Sequence, residues 1–468
     1  MRRLVALIPI AVLIALQVVN IIVFGADAIL GPSQVALLVA AGVCVVLALC
    51  LYKTPWKTFA AALGENVGQV ASAILILLLI GAVSGTWTMS GVVPMFICYG
   101  IRIISPKVFL VTACLLCALI SVMTGSSWTT IATIGVALLG IGRAEGFSDA
   151  MTAGAIISGA YFGDKISPLS DTTVLASSIN KVDLFEHIHY MYFTTVPSLV
   201  ITLIVFTVLG FTSGGGVAVP AEVYSGTLAS TFHITPWLLL VPALTVFLIW
   251  KRVPAVGVLA ISVLAAALAA VIFQPGIVRG VADNAKVPMF TGIMEIVYNT
   301  VSLDTGVEEV NQLVTTRGML GMLNTVYLII CAMCFGACMR CSGMIADLAG
   351  TLQRFTRTRA GLVGSTVLTG TALNGIVSDQ YLAIILTSNI FREPFERQGR
   401  EERLLSRSVE DSATVTSPLF PWSSCGMTQA TILSAPTLVY APFCLFNILS
   451  PLMSFLVALI GWKIYKKV

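Results

Sequence analysis

The chain has 468 residues, of which 57% are hydrophobic and only 10% are charged. Soluble domains contain roughly 25% charged residues, so this composition argues against a soluble domain and indicates a polytopic membrane protein. The net charge of +4 is too small, and its bases are too scattered, to suggest nucleic acid as a partner.

Apolar runs recur along the chain, and many approach the ~20 residues that a helix needs to cross a bilayer. We predict an all-α polytopic membrane protein with about eleven to thirteen transmembrane segments, some of them broken. The first run, Leu4–Phe24, is followed by further runs, so we interpret it as an uncleaved helix rather than a signal peptide. Basic residues flank the first and last runs and predict cytoplasmic termini: Arg2, Arg3, Lys463, Lys466 and Lys467.

The first polar interruption is TGSSWTT, residues 124–130, between two apolar runs. Its five hydroxyl groups surround Gly125 and Trp128, a higher density than bonding back to the helix turn requires. Hard cations prefer oxygen ligands. We therefore predict that Ser127 and Thr129 bind a cation and that Trp128 affects selectivity, although a structural role of these hydroxyls is the alternative.

The second interruption lies within residues 153–178, where small apolar residues lead into GDKISPLSDTT. Pro168 removes a backbone donor and breaks the helix. Broken backbone at membrane depth is tolerated where it is buried in protein or lines a water-filled cavity, and ionisable groups there usually mark an ion pathway. We predict that this segment forms half of a cation site, with ligands from Asp164, Ser167, Asp171 and Thr172.

His187 and His189 follow two residues apart, just before the next apolar run. Helix positions two apart do not share a face, so a zinc pair is not expected. We interpret this stretch as cytoplasmic and solvated, with a pH-sensing histidine as the alternative.

A Gly- and Ser-rich stretch, residues 213–234, predicts a linker between two halves. We divide the chain into N-terminal helices 1–53, a first repeat 54–212 and a second repeat 235–468 that includes the C-terminal helix. A shift of 250 residues lays TGSSWTT on NGIVSDQ, residues 374–380, and SPLS on SPLF, which places Asp379 opposite Thr129. Two inverted-topology repeats with discontinuous helices are a known transporter plan.

The second half carries its own polar breaks. One contains Asn374 and Asp379, and the other contains Asp411 in the sequence EDSATVTSPLFPWSS. We assign Arg407 and Glu410 to the end of the charged loop that precedes this second break. Further candidates for selectivity follow Asp411: Thr414, Trp422 and Ser423.

Four cysteines in the second half occur at steps of three, four and three, which places them on one helix face: Cys331, Cys334, Cys338 and Cys341. A membrane redox or metal protein is therefore the alternative from a different class. We favour cysteine as a small packing residue at a helix interface. No cofactor and no transition-metal site are expected.

The chain resembles the NhaC family of Na⁺/H⁺ antiporters through TGSSWTTIATIGVALLGIG, AGAIISGAYFGDKISPLSDTT, HIHYMYFTTVP and SRSVEDSATVTSPLFPWSSCG. These motifs lie between about residues 56 and 426, and GDKISPLSDTT is the most specific. Ile166, Ala413 and Ser423 depart from the family pattern, in which Met, Gly and Asn are usual. If the second break contacts substrate, Ser423 affects the selectivity for the cation or solute.

The resemblance implies inverted repeats, a bacterial inner-membrane location and exchange of external protons for internal Na⁺, with a homodimer as one possibility. Some members of this superfamily exchange organic acids or carry amino acids, so coupled transport of a small organic solute is the rival function.

We expect Asp164, Asp171, Asp379 and Asp411 to form an acidic centre near mid-membrane. Oxygens of the other predicted ligands complete the shell: Ser127, Thr129, Ser167, Thr172 and Asn374. A carboxylate that holds either a proton or Na⁺ gives antiport, with alternating access by rocking of one part against the rest. Lys165 either pairs with Asp164 or faces the cytoplasm.

Overall fold

The computed structural model describes residues 2–69, 71–213, 221–251, 253–282, 285–352 and 356–462. Residues 214–220 of the predicted linker lie outside these ranges, as do Lys463, Lys466 and Lys467. The helices up to the linker are α1 (Arg2–Phe24), α2 (Pro32–Leu47), α3 (Trp56–Gln69), α4 (Ala71–Met89), α5 (Val92–Ile103), α6 (Phe109–Thr124), α7 (Ser127–Thr130), α8 (Val136–Ala144), α9 (Asp149–Ile166), α10 (Asp171–Ile179) and α11 (Leu184–Ser213).

The later helices begin after residue 220. They are α12 (Ala221–Thr231), α13 (Leu240–Trp250), α14 (Ala255–Phe273), α15 (Pro275–Gly280), α16 (Pro288–Tyr298), α17 (Glu308–Val314), α18 (Leu323–Cys341), α19 (Met344–Leu352), α20 (Arg359–Val377), α21 (Gln380–Arg397), α22 (Glu402–Val409), α23 (Ser424–Ile432), α24 (Thr437–Tyr440) and α25 (Leu445–Ile460). Three π-helical segments interrupt the α-helical pattern: Ala48–Tyr52, Ile131–Gly135 and Glu410–Thr414.

The all-α prediction is confirmed for the described residues, which form no strand; Val301 and Thr316 form an isolated bridge. Seven described helices are long and apolar enough to span a membrane, or up to ten if each of three bent pairs forms one span. These spans are fewer than the eleven to thirteen predicted. Helices α9 and α21, which carry three and four charged residues, are not among them.

The outer surface is strongly apolar. Large side chains such as Ile22, Leu264 and Ile460 are 77%, 69% and 78% exposed. Monomeric soluble proteins rarely expose contiguous apolar area on this scale. The surface therefore fits a lipid environment, in which apolar side chains face the acyl chains and each helix satisfies its own backbone.

The two halves repeat their helix breaks at a constant spacing. Four pairs of residues with positive φ are each separated by 253 residues (306 − 53, 378 − 125, 399 − 146 and 434 − 181): Lys53 and Gly306, Gly125 and Ser378, Gly146 and Gly399, and Lys181 and Ser434. Helix starts follow the same spacing, since α9 begins at Asp149 and α22 at Glu402. The spacing of these breaks is 253 residues and differs from the predicted shift of 250, while the internal repeat itself stays a prediction.

This spacing changes which residues lie opposite one another at the breaks. Ser126 is the N-cap of α7 and corresponds to Asp379, the N-cap of α21. At this spacing Asp379 lies opposite Ser126, whereas the shift of 250 residues paired it with Thr129. The two Ser-Pro-Leu sequences occupy different positions relative to the helix breaks, since Ser167 is the C-cap of α9 and Ser417–Leu419 forms a short 3-10 helix. The inverted orientation of the two sets of helices stays a prediction.

Helices that are distant in sequence pack against one another. The N-terminal helices α2 and α3 pack against α18, and α4 packs against α14 and α16. The last helix, α25, packs against α9, α11 and α20. Segments 1–53, 54–212 and 235–468 consequently share their contacts rather than forming separate cores.

Candidate cation and proton site

A close approach of two helix breaks creates the site. Gly125 has a φ of +65° and ends α6, and a Cβ atom there would lie 2.5 Å from the carbonyl carbon of Leu169. Only glycine fits, because it lacks a Cβ atom and tolerates the left-handed conformation. The α6–α7 break can therefore contact the α9–α10 break, which contains Leu169.

Asp164, in the last turn of α9, contacts the start of α7. Its Oδ2 atom accepts a hydrogen bond from the Ser127 backbone N–H at 3.1 Å and another from the Ser127 hydroxyl at 2.7 Å. The side chain of Ser126 caps the same helix by accepting from the Thr129 N–H at 3.2 Å. Asp164 is only 5% exposed, so its carboxylate depends on these polar contacts.

A cavity of about 620 Å³ adjoins this contact. The predicted site residues that line it come from both breaks of the first half: Ser127, Trp128, Thr129, Asp164, Asp171 and Thr172. Ser126 and Ser170 add further hydroxyl groups, while no lysine, arginine or histidine lines it among the described residues. The cavity wall thus combines carboxyl and hydroxyl groups with apolar side chains and contains no basic group among the described residues.

The second half reaches the cavity through Gln380 and Tyr381, at the start of α21, and through apolar residues between positions 249 and 258, at the connection of α13 and α14. Asp379, the preceding residue, caps this helix by accepting from the Leu382 N–H at 2.9 Å. Asp379 is 5% exposed and lies next to the lining residues rather than among them.

Asp411 does not line the cavity but forms a buried ion pair with Lys165. The Lys165 ammonium donates to Asp411 Oδ1 and, at 2.9 Å, to the Ser450 hydroxyl. Thr194 donates to the same Asp411 oxygen at 3.0 Å. Lys165 and Asp411 are fully buried. Both expectations for Lys165 are therefore wrong, since it neither pairs with Asp164 nor faces solvent.

Arg407 and Glu410 are completely buried, so their assignment to the end of a loop is wrong. The Arg407 guanidinium lies 4.7 Å from the Tyr190 ring centroid, and its Nε atom is 3.8 Å from Asp411 Oδ2. The spacing of four residues between Arg407 and Asp411 was a usable signal, because such positions are neighbours on a helix.

His187 is also buried, contrary to the solvated stretch that we predicted. Its Nδ1 atom lies 2.8 Å from the Ser406 hydroxyl, because α11 packs against α22. His189 is exposed, which agrees with the solvated environment that we predicted for the two histidines.

The remaining predicted residues brace the helix breaks and do not line the cavity. Ser167 donates to the Val122 carbonyl at 2.7 Å, and Trp422 donates to the Gly375 carbonyl at 2.7 Å. Asn374 donates to the Ala413 carbonyl at 2.6 Å.

Two further predicted residues lie in the second break of this half. Ser423 caps α23 by accepting from the Gly426 N–H at 2.9 Å. Thr414 is buried, and its hydroxyl has no hydrogen-bond partner among the described residues.

The cysteine face lies on α18. Cys331 is buried in the apolar core, and the other three cysteines are partly exposed. In the described part of the chain, no three His, Cys, Asp or Glu side chains lie close enough to hold a metal ion.

An all-helical, multi-pass protein whose broken helices meet at an oxygen-lined cavity has the architecture of a membrane transport protein. The family model described as "Na+/H+ antiporter family" matches residues 159–462, and the chain belongs to this family. It is a transporter and not an enzyme, and the resemblance to the NhaC family is confirmed.

Curated relatives differ in the substrates that their names give. The Na⁺/H⁺ antiporter NhaC of Alkalihalophilus pseudofirmus is 36% identical over 88% of this chain and 87% of its own. The malate-2H⁺/Na⁺-lactate antiporter of Bacillus subtilis is 36% identical over 88% and 86%. The arginine/ornithine antiporter ArcD of Halobacterium salinarum is 33% identical over 99% and 93%.

Proposed function

We propose that the protein exchanges cytoplasmic Na⁺ for external H⁺ by alternating access. The observation that carries this proposal is the placement of Asp164 beside Ser127 in a cavity with carboxylate and hydroxyl groups and no basic side chain among its described lining residues. Such a surface attracts cations, and hydroxyl and carboxylate oxygens replace the water of a hard cation. Relatives named Na⁺/H⁺ antiporters support the same ions.

The geometry suggests an order of ion contacts. Asp171 is exposed at the cavity and meets an entering cation first, whereas Asp164 is nearly buried. Hydroxyl groups of Ser127, Thr129 and Thr172 share the cavity with both carboxylates. A cation bound at Asp164 exchanges its hydration shell for these oxygens.

In the proposed transport cycle, helix α21 of the second half moves relative to α9 and α10 of the first half. Gln380 and Tyr381 face the cavity from α21, while Asp164 and Asp171 face it from α9 and α10. Displacement of these pairs of broken helices relative to one another changes the side on which the cavity opens. We further propose a bacterial inner-membrane location with both termini in the cytoplasm.

The test uses purified protein in sealed liposomes that contain a pH-sensitive dye. A Na⁺ gradient without any organic solute is expected to drive proton movement in the opposite direction, and protein-free liposomes are the control. Absence of Na⁺-driven proton movement in liposomes that contain correctly inserted protein would exclude Na⁺/H⁺ exchange.

Exchange of a small organic solute is a second candidate function. The cavity of about 620 Å³ is far larger than one dehydrated ion requires and falls in the range of small-molecule sites. Two relatives carry names that specify organic substrates. In the same liposomes, proton or Na⁺ flux that appears only with a carboxylate or an amino acid would favour this function.

A further inference from the structure

Glu410 is a buried acid that the cation site does not use. It begins the π-helical segment Glu410–Thr414 and is 0% exposed. Neither of its carboxyl oxygens has a hydrogen-bond partner among the described residues. Asp164, Asp379 and Asp411, in contrast, each accept at least one hydrogen bond. An ionised carboxylate buried without partners is strongly unfavourable, so Glu410 needs a proton or a neighbouring cation.

The nearby cations are engaged elsewhere. Lys165, on α9, lies within electrostatic range of Glu410, but its ammonium donates to Asp411 and Ser450. The Arg407 guanidinium lies over Tyr190 and is directed towards Asp411. Both buried cations thus lie within ion-pair distance of Asp411, whereas neither forms an ion pair with Glu410 among the described residues.

Other charged groups on the surrounding helices have separate contacts. Asp171 on α10 is exposed at the cavity, and Asp379 caps α21. On α20, Arg359 donates to the carbonyls of Ala458 and Leu459. On α21, Arg392 donates to the Ile179 carbonyl, and Glu393 and Arg397 form an ion pair at the exposed end of the helix. Glu396 is exposed at the same end. His187, on α11, contacts Ser406.

The charge balance of the buried cluster links Glu410 to Asp164. The cluster contains the carboxylates of Asp164, Glu410 and Asp411 and the cations Lys165 and Arg407, which leaves one negative charge when all are ionised. An uncompensated charge is costly at low dielectric. One Na⁺ at Asp164 or one proton on Glu410 restores neutrality, so each event disfavours the other.

The helix that carries Thr172 connects the cavity to the segment of Glu410. Thr172 lines the cavity and lies on α10, which packs against the π-helical segment that Glu410 begins. Its Oγ1 atom is 3.0 Å from the hydroxyl oxygen of Ser170, which also lines the cavity. A hydroxyl can accept a proton and donate its own, so a proton from cavity water can reach a Glu410 oxygen and convert the carboxylate to a carboxylic acid.

We propose that Glu410 is the proton-binding residue of the transport cycle and that it is separate from the cation site at Asp164. This inference rests on the proposed Na⁺/H⁺ function. Na⁺ and the proton then bind to different carboxylates, Asp164 and Glu410, instead of competing for one. Each binding event disfavours the other through the charge of the buried cluster. The π-helical geometry at Glu410 agrees with this role, since such bulges occur frequently at functional sites.

The test compares Glu410→Gln, Asp164→Asn and the exposed control Glu396→Gln in sealed liposomes. Tracer Na⁺-for-Na⁺ exchange needs no proton, whereas Na⁺ uptake driven by a pH gradient does. Glu410→Gln mimics the protonated acid, which disfavours Na⁺ at Asp164. It is therefore expected to keep tracer exchange at saturating Na⁺ with an apparent Na⁺ affinity lowered by about tenfold, while losing proton-driven uptake by about tenfold or more. Asp164→Asn is expected to lose both activities, and the control neither.

Each alternative outcome has a defined meaning. Proton-driven uptake retained in Glu410→Gln, or loss of both activities in a folded variant, would overturn the assignment. If Glu410→Gln does not fold, Glu410→Asp takes its place, and a pH profile of uptake identical to that of the unmodified protein would overturn it. If the unmodified protein moves no protons with Na⁺, the proposed function fails, and the role of Glu410 fails with it.

Discussion

The two hydrogen bonds from Ser127 both reach Oδ2 of Asp164. They hold the carboxylate in one orientation at the edge of the cavity. Charge-assisted hydrogen bonds of this kind are roughly twice as strong as neutral ones. Ser127 therefore positions Asp164, although its own hydroxyl also belongs to the cavity wall.

Replacement of Asp164 by Asn keeps the shape and removes the negative charge. We expect Na⁺-driven proton movement to fall by about tenfold or more, because a neutral amide cannot compensate a cation at a buried position. The measurement is dye-detected proton flux in liposomes over a range of Na⁺ concentrations. Glu396→Gln removes an exposed carboxylate on α21 and should behave like the unmodified protein.

Unaltered flux in Asp164→Asn would remove this residue from the site. A shift in apparent Na⁺ affinity with an unchanged maximal rate would instead make Asp164 a residue that attracts the ion without binding it in the transport step.

The helix breaks are the elements that the site depends on. Pro168 ends α9, and Gly125 ends α6 in a left-handed conformation next to Leu169. The matching break in the second half uses Ser378 with a φ of 59°, at an energetic cost that glycine avoids. The local sequence therefore specifies where a helix breaks. Contact between the two breaks additionally requires glycine at position 125, because a Cβ atom there would overlap the Leu169 backbone.

Gly125→Ala tests this element. We expect it to destabilise the protein by about 1–3 kcal/mol, because alanine is strained at positive φ and its Cβ atom overlaps the Leu169 backbone. The measurement is thermal unfolding of the purified protein in detergent, together with proton flux in liposomes.

Gly42→Ala is the matched control. Gly42 lies within α2, and no atom would lie within 4 Å of an added Cβ atom. Alanine is favoured over glycine in a helix interior by about 1 kcal/mol, so this variant should be equally or more stable. Equal unfolding temperatures for both variants would contradict the proposed role of Gly125.

At the scale of the whole molecule, Lys165 and Asp411 connect helices from the two halves. They lie 246 positions apart, and Ser450 on α25 joins the same contact. Removal of one partner from a buried ion pair typically costs about 3–5 kcal/mol, because the other charge remains uncompensated. Replacement of both partners by apolar side chains is much less destabilising.

A double-mutant cycle with Lys165→Met and Asp411→Leu measures this connection. Each single variant should unfold at a lower temperature, and the double variant should recover part of the loss, with a coupling energy of about 2 kcal/mol or more. Single effects that add up without coupling would show that the ion pair does not hold the halves together. Arg397→Met, at an exposed pair with Glu393, is the control and should change stability by less than about 1 kcal/mol.

Several features of this protein followed from the sequence because they depend on local properties of the chain. Long apolar runs with few charges predicted membrane helices, and Pro168 and Gly125 marked helix breaks, since helix formation is decided within a few residues. Hydroxyl groups around Trp128 and the acids of GDKISPLSDTT predicted where the first half would contribute to a cavity.

Only the tertiary structure decided which charges face one another. Lys165 pairs with Asp411, Arg407 and Glu410 are buried, and His187 contacts Ser406, although their sequence context was equally compatible with solvent. A charged residue at the end of an apolar run can face water or protein, and the choice depends on helices more than 200 positions away. The sequence contains these partners but does not specify their distance, because packing between helices sets it.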